Sequence, residues 1–158
     1  MRGTVRVAND AWEALLEAHA VLIRGFITEG DWSQVSMREY DVLYTLSKSA
    51  EPVRLGELHR HVLLSQPALS RMVDRLVSRG LVRRMSDPAD ARGVLVSLTE
   101  HGQATQRQVG RGHARSVASA MTEAMTVDDL IRLEELCLAL AGDDRRSPSS
   151  VDGTHVPR

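Results

Sequence analysis

The chain has 158 residues, and its 20 Lys or Arg against 21 Asp or Glu give a formal net charge of −1; that length holds one domain-sized core with no room for a separate catalytic domain, and the overall charge is not that of a uniformly basic nucleic-acid binder. Aromatic residues make up 3% of the chain, too few to stack on unpaired bases, and a single cysteine excludes an intrachain disulfide framework. No apolar run near the N-terminus resembles a signal peptide or a spanning helix, so a cytoplasmic protein without a membrane partner is expected.

From Asn9 onward, Trp12, Leu15, Leu16, Leu22, Ile23, Phe26 and Ile27 recur at helical spacing, with Asn9 or Asp10 as the cap. Ser36-Met37-Arg38-Glu39 carries the capping-box pattern and opens a second helix with Tyr40, Leu43, Tyr44 and Leu46. That helix ends near Ser49-Ala50-Glu51-Pro52. Val53 is then a short edge strand, and residues 55–62 form a short helix with Leu55, Leu58 and Val62 inward. The next helix starts at Ser65-Gln66-Pro67, where a Ser hydroxyl can cap free amides and proline suits the first turn; Gly80 stops it. Residues 81–84 and 94–98 read as two strands around a turn-rich tip, residues 86–93.

Two helices joined by a turn and followed by a hairpin make a winged helix-turn-helix, so the expected fold is mainly α with a small β-hairpin wing. Beyond the wing, Thr99-Glu100 caps a long helix running towards Met121, weakened by Gly102, Gly110 and Gly112. Thr126-Val127-Asp128-Asp129 opens another, on which Leu130, Leu133, Cys137 and Leu140 form an apolar seam until Gly142. The last stretch is Ser, Pro, Asp and Arg with little to bury and reads as a disordered tail. The expected division is 1–34 for an N-terminal dimerisation helix, 35–100 for the winged unit, 101–142 for C-terminal dimerisation helices and 143–158 for the tail.

Charge is unevenly placed. Between positions 65 and 92 lie Arg71, Arg75, Arg79, Arg83, Arg84 and Arg92, against Asp74, Asp87 and Asp90. Positive charge is thus concentrated on the expected reading head, and double-stranded DNA is the expected partner. The terminal helices carry more apolar surface than so small a core covers, which a second copy of the chain would bury. A two-fold dimer would set two recognition helices about 34 Å apart, one turn of duplex.

Asp90-Ala91-Arg92-Gly93 leading through Val94-Leu95-Val96-Ser97-Leu98 into Thr99-Glu100-His101-Gly102 closely resembles the wing signature of the MarR family. Leu69-Ser70-Arg71-Met72-Val73-Asp74-Arg75-Leu76 followed by Gly80-Leu81-Val82 is similar to that family's recognition helix and its exit. The resemblance spans residues 36–140. It implies a homodimeric transcription regulator, more often a repressor than an activator, acting on a pseudo-palindromic operator and modulated by a small, often phenolic or anionic, effector. No cofactor is implied.

Position by position, the resemblance implies that Ser65, Gln66, Ala68, Ser70, Arg71 and Arg75 face the major groove. There Arg can grip guanine and Gln adenine through paired hydrogen bonds, while the serines more often touch phosphate. Arg92 is expected in the minor groove at the wing tip, oriented by Asp90. The first helix of the motif often follows Thr or Ser in the family; here it follows Arg54, which cannot cap but could reach a phosphate. Trp12, His19 and Tyr40 are candidates for the effector crevice, with core packing the simpler account of Tyr40.

Other functions have weaker sequence support. No nucleophile and base, phosphate loop or metal-ligand spacing points to an enzyme. A zinc-responsive regulator of the same fold would need ligands from His19, His59, His61, His101 or His113, but His59 and His61 point apart on one helix and no metal residues are assigned. His155 lies in the tail. Cys137 reads as a small hydrophobe rather than a redox switch. A winged protein-interaction module without DNA binding is the remaining alternative.

Overall fold

The computed structural model describes residues 3–142, with the side chains of positions 91 and 92 left undescribed; the expected tail at 143–158 lies outside these residues. The elements follow in the order α1 (Thr4–Glu29), α2 (Met37–Ser47), β1 (Val53–Arg54), α3 (Leu55–Arg60), α4 (Gln66–Ser78), β2 (Val82–Asp87), β3 (Asp90–Leu98), α5 (Glu100–Ala124) and α6 (Val127–Ala141). Contacts divide the chain between Ala118 and Ser119.

The first unit is built around α2, α3, α4 and the sheet. On α4, Leu69, Met72, Val73 and Leu76 are buried, the three-and-four spacing that puts side chains on one helix face. They meet Val42, Leu43 and Leu46 of α2, Leu58 of α3, and Leu81, Val82, Val96 and Leu98 of the hairpin. Full burial of each such leucine stabilises the fold by about 1.5–3 kcal/mol. The sheet has the antiparallel order β1-β3-β2, with Val53 opposite Val96 and Val82 opposite Leu98.

The helix boundaries follow local chemistry. The Ser36 hydroxyl accepts from the Glu39 amide at 3.3 Å, and the Glu39 carboxylate accepts from the Ser36 amide at 2.9 Å, completing the capping box of α2. The Ser65 hydroxyl accepts from the Ala68 amide at 3.4 Å at the start of α4. At its end, Gly80 takes φ +68°. Its amide donates to the Val77 carbonyl and that of Leu81 to the Leu76 carbonyl, each at 2.9 Å, which satisfies the helix's last acceptors. Thr126 and Asp129 form a second capping box at α6.

Several boundaries differ from the sequence expectation. α1 begins at Thr4 rather than at Asn9 or Asp10, because nothing between Gly3 and Asn9 breaks a helix. α3 stops at Arg60, and Val62 packs against the core from the turn that follows. The strands extend much further into the expected tip, leaving only Pro88 and Ala89 between β2 and β3. Ser86 opposes Val94 while Asp87 opposes Asp90, so residues 91–93 form a bulge beside the tip.

Each unit keeps apolar residues at its surface. On α1 these include Val5, Trp12, Leu15, Leu16, Val21 and Ile27; on α6, Val127, Ile131, Leu136, Leu138 and Leu140. Cys137 is exposed on that helix.

Candidate nucleic-acid interface

Helix α4 presents the opposite face to solvent. At 100° per residue, Arg71 lies near the middle of the arc away from the core, with Gln66 and Ser70 towards one flank and Ala68 and Arg75 towards the other. Gln66, Arg71 and Arg75 are exposed, as is the capping residue Ser65, while Ala68 and Ser70 are half-buried. The sequence-predicted residues therefore share the outer surface and open first turn of one helix.

Not every arginine nearby is available to a ligand. Arg84 on β2 donates to the Asp74 carboxylate, so the acid on the outer face of α4 is already countered by a neighbouring strand. Arg79 donates to Glu39 Oε1 at 3.2 Å and to the Gln34 carbonyl, tying the end of α4 to the start of α2. The Glu39 carboxyl is held below the usual range despite its partial burial, because Ser36 hydrogen bonds and the Arg79 charge favour its ionised form. The guanidinium groups of Arg71, Arg75 and Arg83 make no ion pair or hydrogen bond among the described residues. These cations gain most from an external anion.

The wing is braced from its base. Buried Asp87 accepts from Arg54 Nε at 2.8 Å and from the Ala89 amide at 2.9 Å, linking the start of α3, the end of β2 and the tip. Arg54, expected to reach a phosphate, gives its Nε to this carboxylate while its side chain stays 58% exposed; it makes no side-chain cap for α3, as its chemistry requires. Asp90 stands opposite Asp87 at the start of β3. Arg92 belongs to the bulge rather than to the two-residue tip, and its side chain lies outside the described residues.

The effector candidates do not converge. Trp12 and His19 are exposed on α1, whereas Tyr40 is buried in the core of the first unit. Trp12 also precedes Phe26 by about 21 Å of helix axis at 1.5 Å per residue. The structure assembles a different group around Tyr40. Its ring lies 6.0 Å from Trp32, 5.9 Å from Tyr44 and 5.3 Å from His113, while Phe26 approaches His113 edge-on at 5.3 Å. Trp32 Nε1 donates to the Phe26 carbonyl at 2.8 Å and fixes the loop after α1.

Beside this group is a cavity of about 140 Å³ bordered by Asp31, Trp32, Gln34, Gln108, His113 and Arg115. Trp32 escapes the sequence reading because it falls in a loop without periodicity, and His113, considered there only as a metal ligand, lies 73 to 87 residues along the chain from its ring partners. Among the described residues, no three of His, Cys, Asp and Glu gather as a metal site, and no helix is long and apolar enough to cross a membrane.

Comparisons with known proteins match the same region. Residues 35–94 fit the model of the MarR family. The chain is 39% identical over 102 residues to the multiple antibiotic resistance protein MarR of Escherichia coli, covering 65% of this chain and 70% of that protein. Its fold is similar to the crystal structure of AbsC, a MarR family transcriptional regulator from Streptomyces coelicolor, with TM-score 0.75, 28% identity and coverage of 93% of this chain and 100% of that one. It is also similar to a mutant E. coli MarR complexed with operator DNA, with TM-score 0.70, 28% identity and coverage of 81% and 91%.

Proposed function

The chain belongs to the MarR family of winged-helix transcription regulators, and from that premise we propose that it is a homodimeric, cytoplasmic repressor that reads a pseudo-palindromic operator. The observation that carries the reading is the pair of unengaged cations, Arg71 and Arg75, on the outer face of a capped helix behind a braced wing. A related MarR bound to operator DNA supports it. Arg71, Arg75 and Gln66 would read base edges in the major groove, Ser65 and Ser70 would hold phosphates, and Arg92, oriented by Asp90, would enter the minor groove.

Dimerisation is supported by the exposed apolar faces of α1 and α6, each too large to leave in water on a regulator of this size. The effector site in this reading moves from Trp12 and His19 to the cavity beside Trp32 and His113, where Arg115 could neutralise a small organic acid. Coupling of about 1–3 kcal/mol between that cavity and the operator would change affinity about 5- to 150-fold.

A random duplex library incubated with the protein at near-physiological salt tests the reading. Enrichment of a palindrome whose half-sites lie one helical turn apart is the expected result. Recovery of no common sequence from a folded dimer would reject operator reading.

A further inference from the structure

His113 is not among the residues proposed to touch DNA, and it is the hub of the aromatic group. Phe26 from α1, Trp32 from the following loop and Tyr40 from α2 all lie within 5.5 Å of its ring, measured between centroids. Its Nδ1 is buried and has no hydrogen-bond partner among the described residues. A neutral imidazole tolerates this, since an unused acceptor forgoes one hydrogen bond; an imidazolium does not, because both nitrogens then carry protons and a charge is enclosed by apolar rings.

We propose that His113 is a proton-sensitive joint, neutral when α1, α2 and α5 are packed together, and that its protonation weakens operator binding. The operator half of this inference rests on the function proposed above.

The route from the ring to the reading helix is short. His113 packs against Trp32, and Gln34, two residues further along the same loop, accepts from Arg79 through its backbone carbonyl. Arg79 caps the C-terminal end of α4 and also pairs with Glu39 at the start of α2. When His113 takes a proton, Nδ1 gains a hydrogen that needs an acceptor. The ring must then swing towards solvent or a carboxylate, disturbing Trp32 and the anchor that holds the recognition helix.

The charged neighbours are few. Asp41 on α2 is the carboxylate whose charge reaches the ring and favours its protonation; Asp31 and Arg115 border the adjoining cavity, and Tyr44 stacks on Tyr40. Burial lowers the pKa of His113 and outweighs the attraction of Asp41. Burial raises that of Asp41, against the opposing charge of a protonated His113, and also raises that of Tyr40.

A histidine with a lowered folded-state pKa binds fewer protons folded than unfolded between its two values. Stability therefore falls as the pH drops through the ordinary value of 6.5 and levels off below the folded value. Each unit between those values makes the folding equilibrium tenfold less favourable. Asp41 has the opposite sign, its contribution being present below 3.8 and lost as the pH rises through its raised value.

Three readouts test the joint. Proton NMR of the imidazoles in DNA-free protein, assigned with a His113→Gln variant, should give His113 a midpoint below 6.5. In a Trp12→Phe background, fluorescence of Trp32 should change through that midpoint, because an imidazolium quenches a neighbouring indole more strongly than an imidazole does. Titration of the selected duplex should show affinity lower by at least fivefold on the acid side in the wild type than in His113→Phe, with the two equal at pH 7.5.

Wild type and variant share every other titratable group, so the comparison between the two proteins carries the result. An ordinary His113 midpoint, or parallel pH profiles for wild type and both His113 variants, would overturn the proposal. If no duplex is selected, the operator reading fails by itself, and urea unfolding between pH 7.5 and 5 still tests the joint: equal losses in wild type and His113→Gln would reject it.

Discussion

Gly102→Ala is expected to destabilise the protein by about 3 kcal/mol or more, measured by urea unfolding. A Cβ at position 102 would lie 1.9 Å from the Leu81 carbonyl oxygen and 2.9 Å from its carbon, which are main-chain atoms that cannot rotate away. The same oxygen accepts from the Thr99 amide at 3.1 Å, and the Thr99 hydroxyl accepts from the Gly102 amide at 2.9 Å, so both sides of the approach are anchored. Leu81 is itself fixed, buried just after the glycine turn that ends α4. Gly112 is the internal control: open space surrounds it, and Gly112→Ala should stabilise α5 by about 0.5–1 kcal/mol. Similar effects of the two substitutions would contradict the close approach of α5 to the wing.

The largest effect on function is expected at Arg71. Removing its guanidinium should cost about 1–3 kcal/mol of binding to the selected duplex, a loss of roughly 5- to 150-fold, as for a paired contact to guanine. Arg71 is exposed and makes no internal ion pair, so its unfolding midpoint should match the wild type. Gln66→Ala should instead relax preference at one base position. Competition binding against the selected duplex and its single-base variants separates these outcomes, and unchanged affinity with Arg71→Ala would remove α4 as the reading helix.

Local signals foretold the centre of the fold. Ser36 with Glu39, Ser65 ahead of Pro67, Thr126 with Asp129 and Gly80 all act where short-range hydrogen bonding or a left-handed backbone decides the structure, so a few adjacent residues suffice to place them. For α4 the outward residues were expected from the family resemblance; Leu69, Met72, Val73 and Leu76 are the face that the structure buries.

What escaped depends on distant partners. Gly102 looks like a weak point in a helix until Leu81 is brought against it. Arg54 shows no sign in the sequence that Asp87, 33 residues away, takes its Nε. Arg84 and Arg79 swell the positive count of the reading head, yet they serve Asp74, Glu39 and Gln34. The wing tip was expected too long because Ser86, Asp87, Asp90 and Gly93 are common turn residues, whereas here they belong to the strands and their bulge. The aromatic group joins Phe26, Trp32, Tyr40 and His113 from four separate parts of the chain, and no local spacing announces it.

The central claim is that the face bearing Arg71, Arg75 and the wing binds duplex DNA, and the salt dependence of binding tests it most directly. Each neutralised phosphate contributes about 0.9 to the slope of log affinity against log salt, so a dimer making about six such contacts should show a slope near −5. Steep dependence in the wild type, reduced by about one for each phosphate contact removed, is the result expected. A flat profile, with the folded dimer retained, would contradict DNA reading and assign the winged surface to a protein partner.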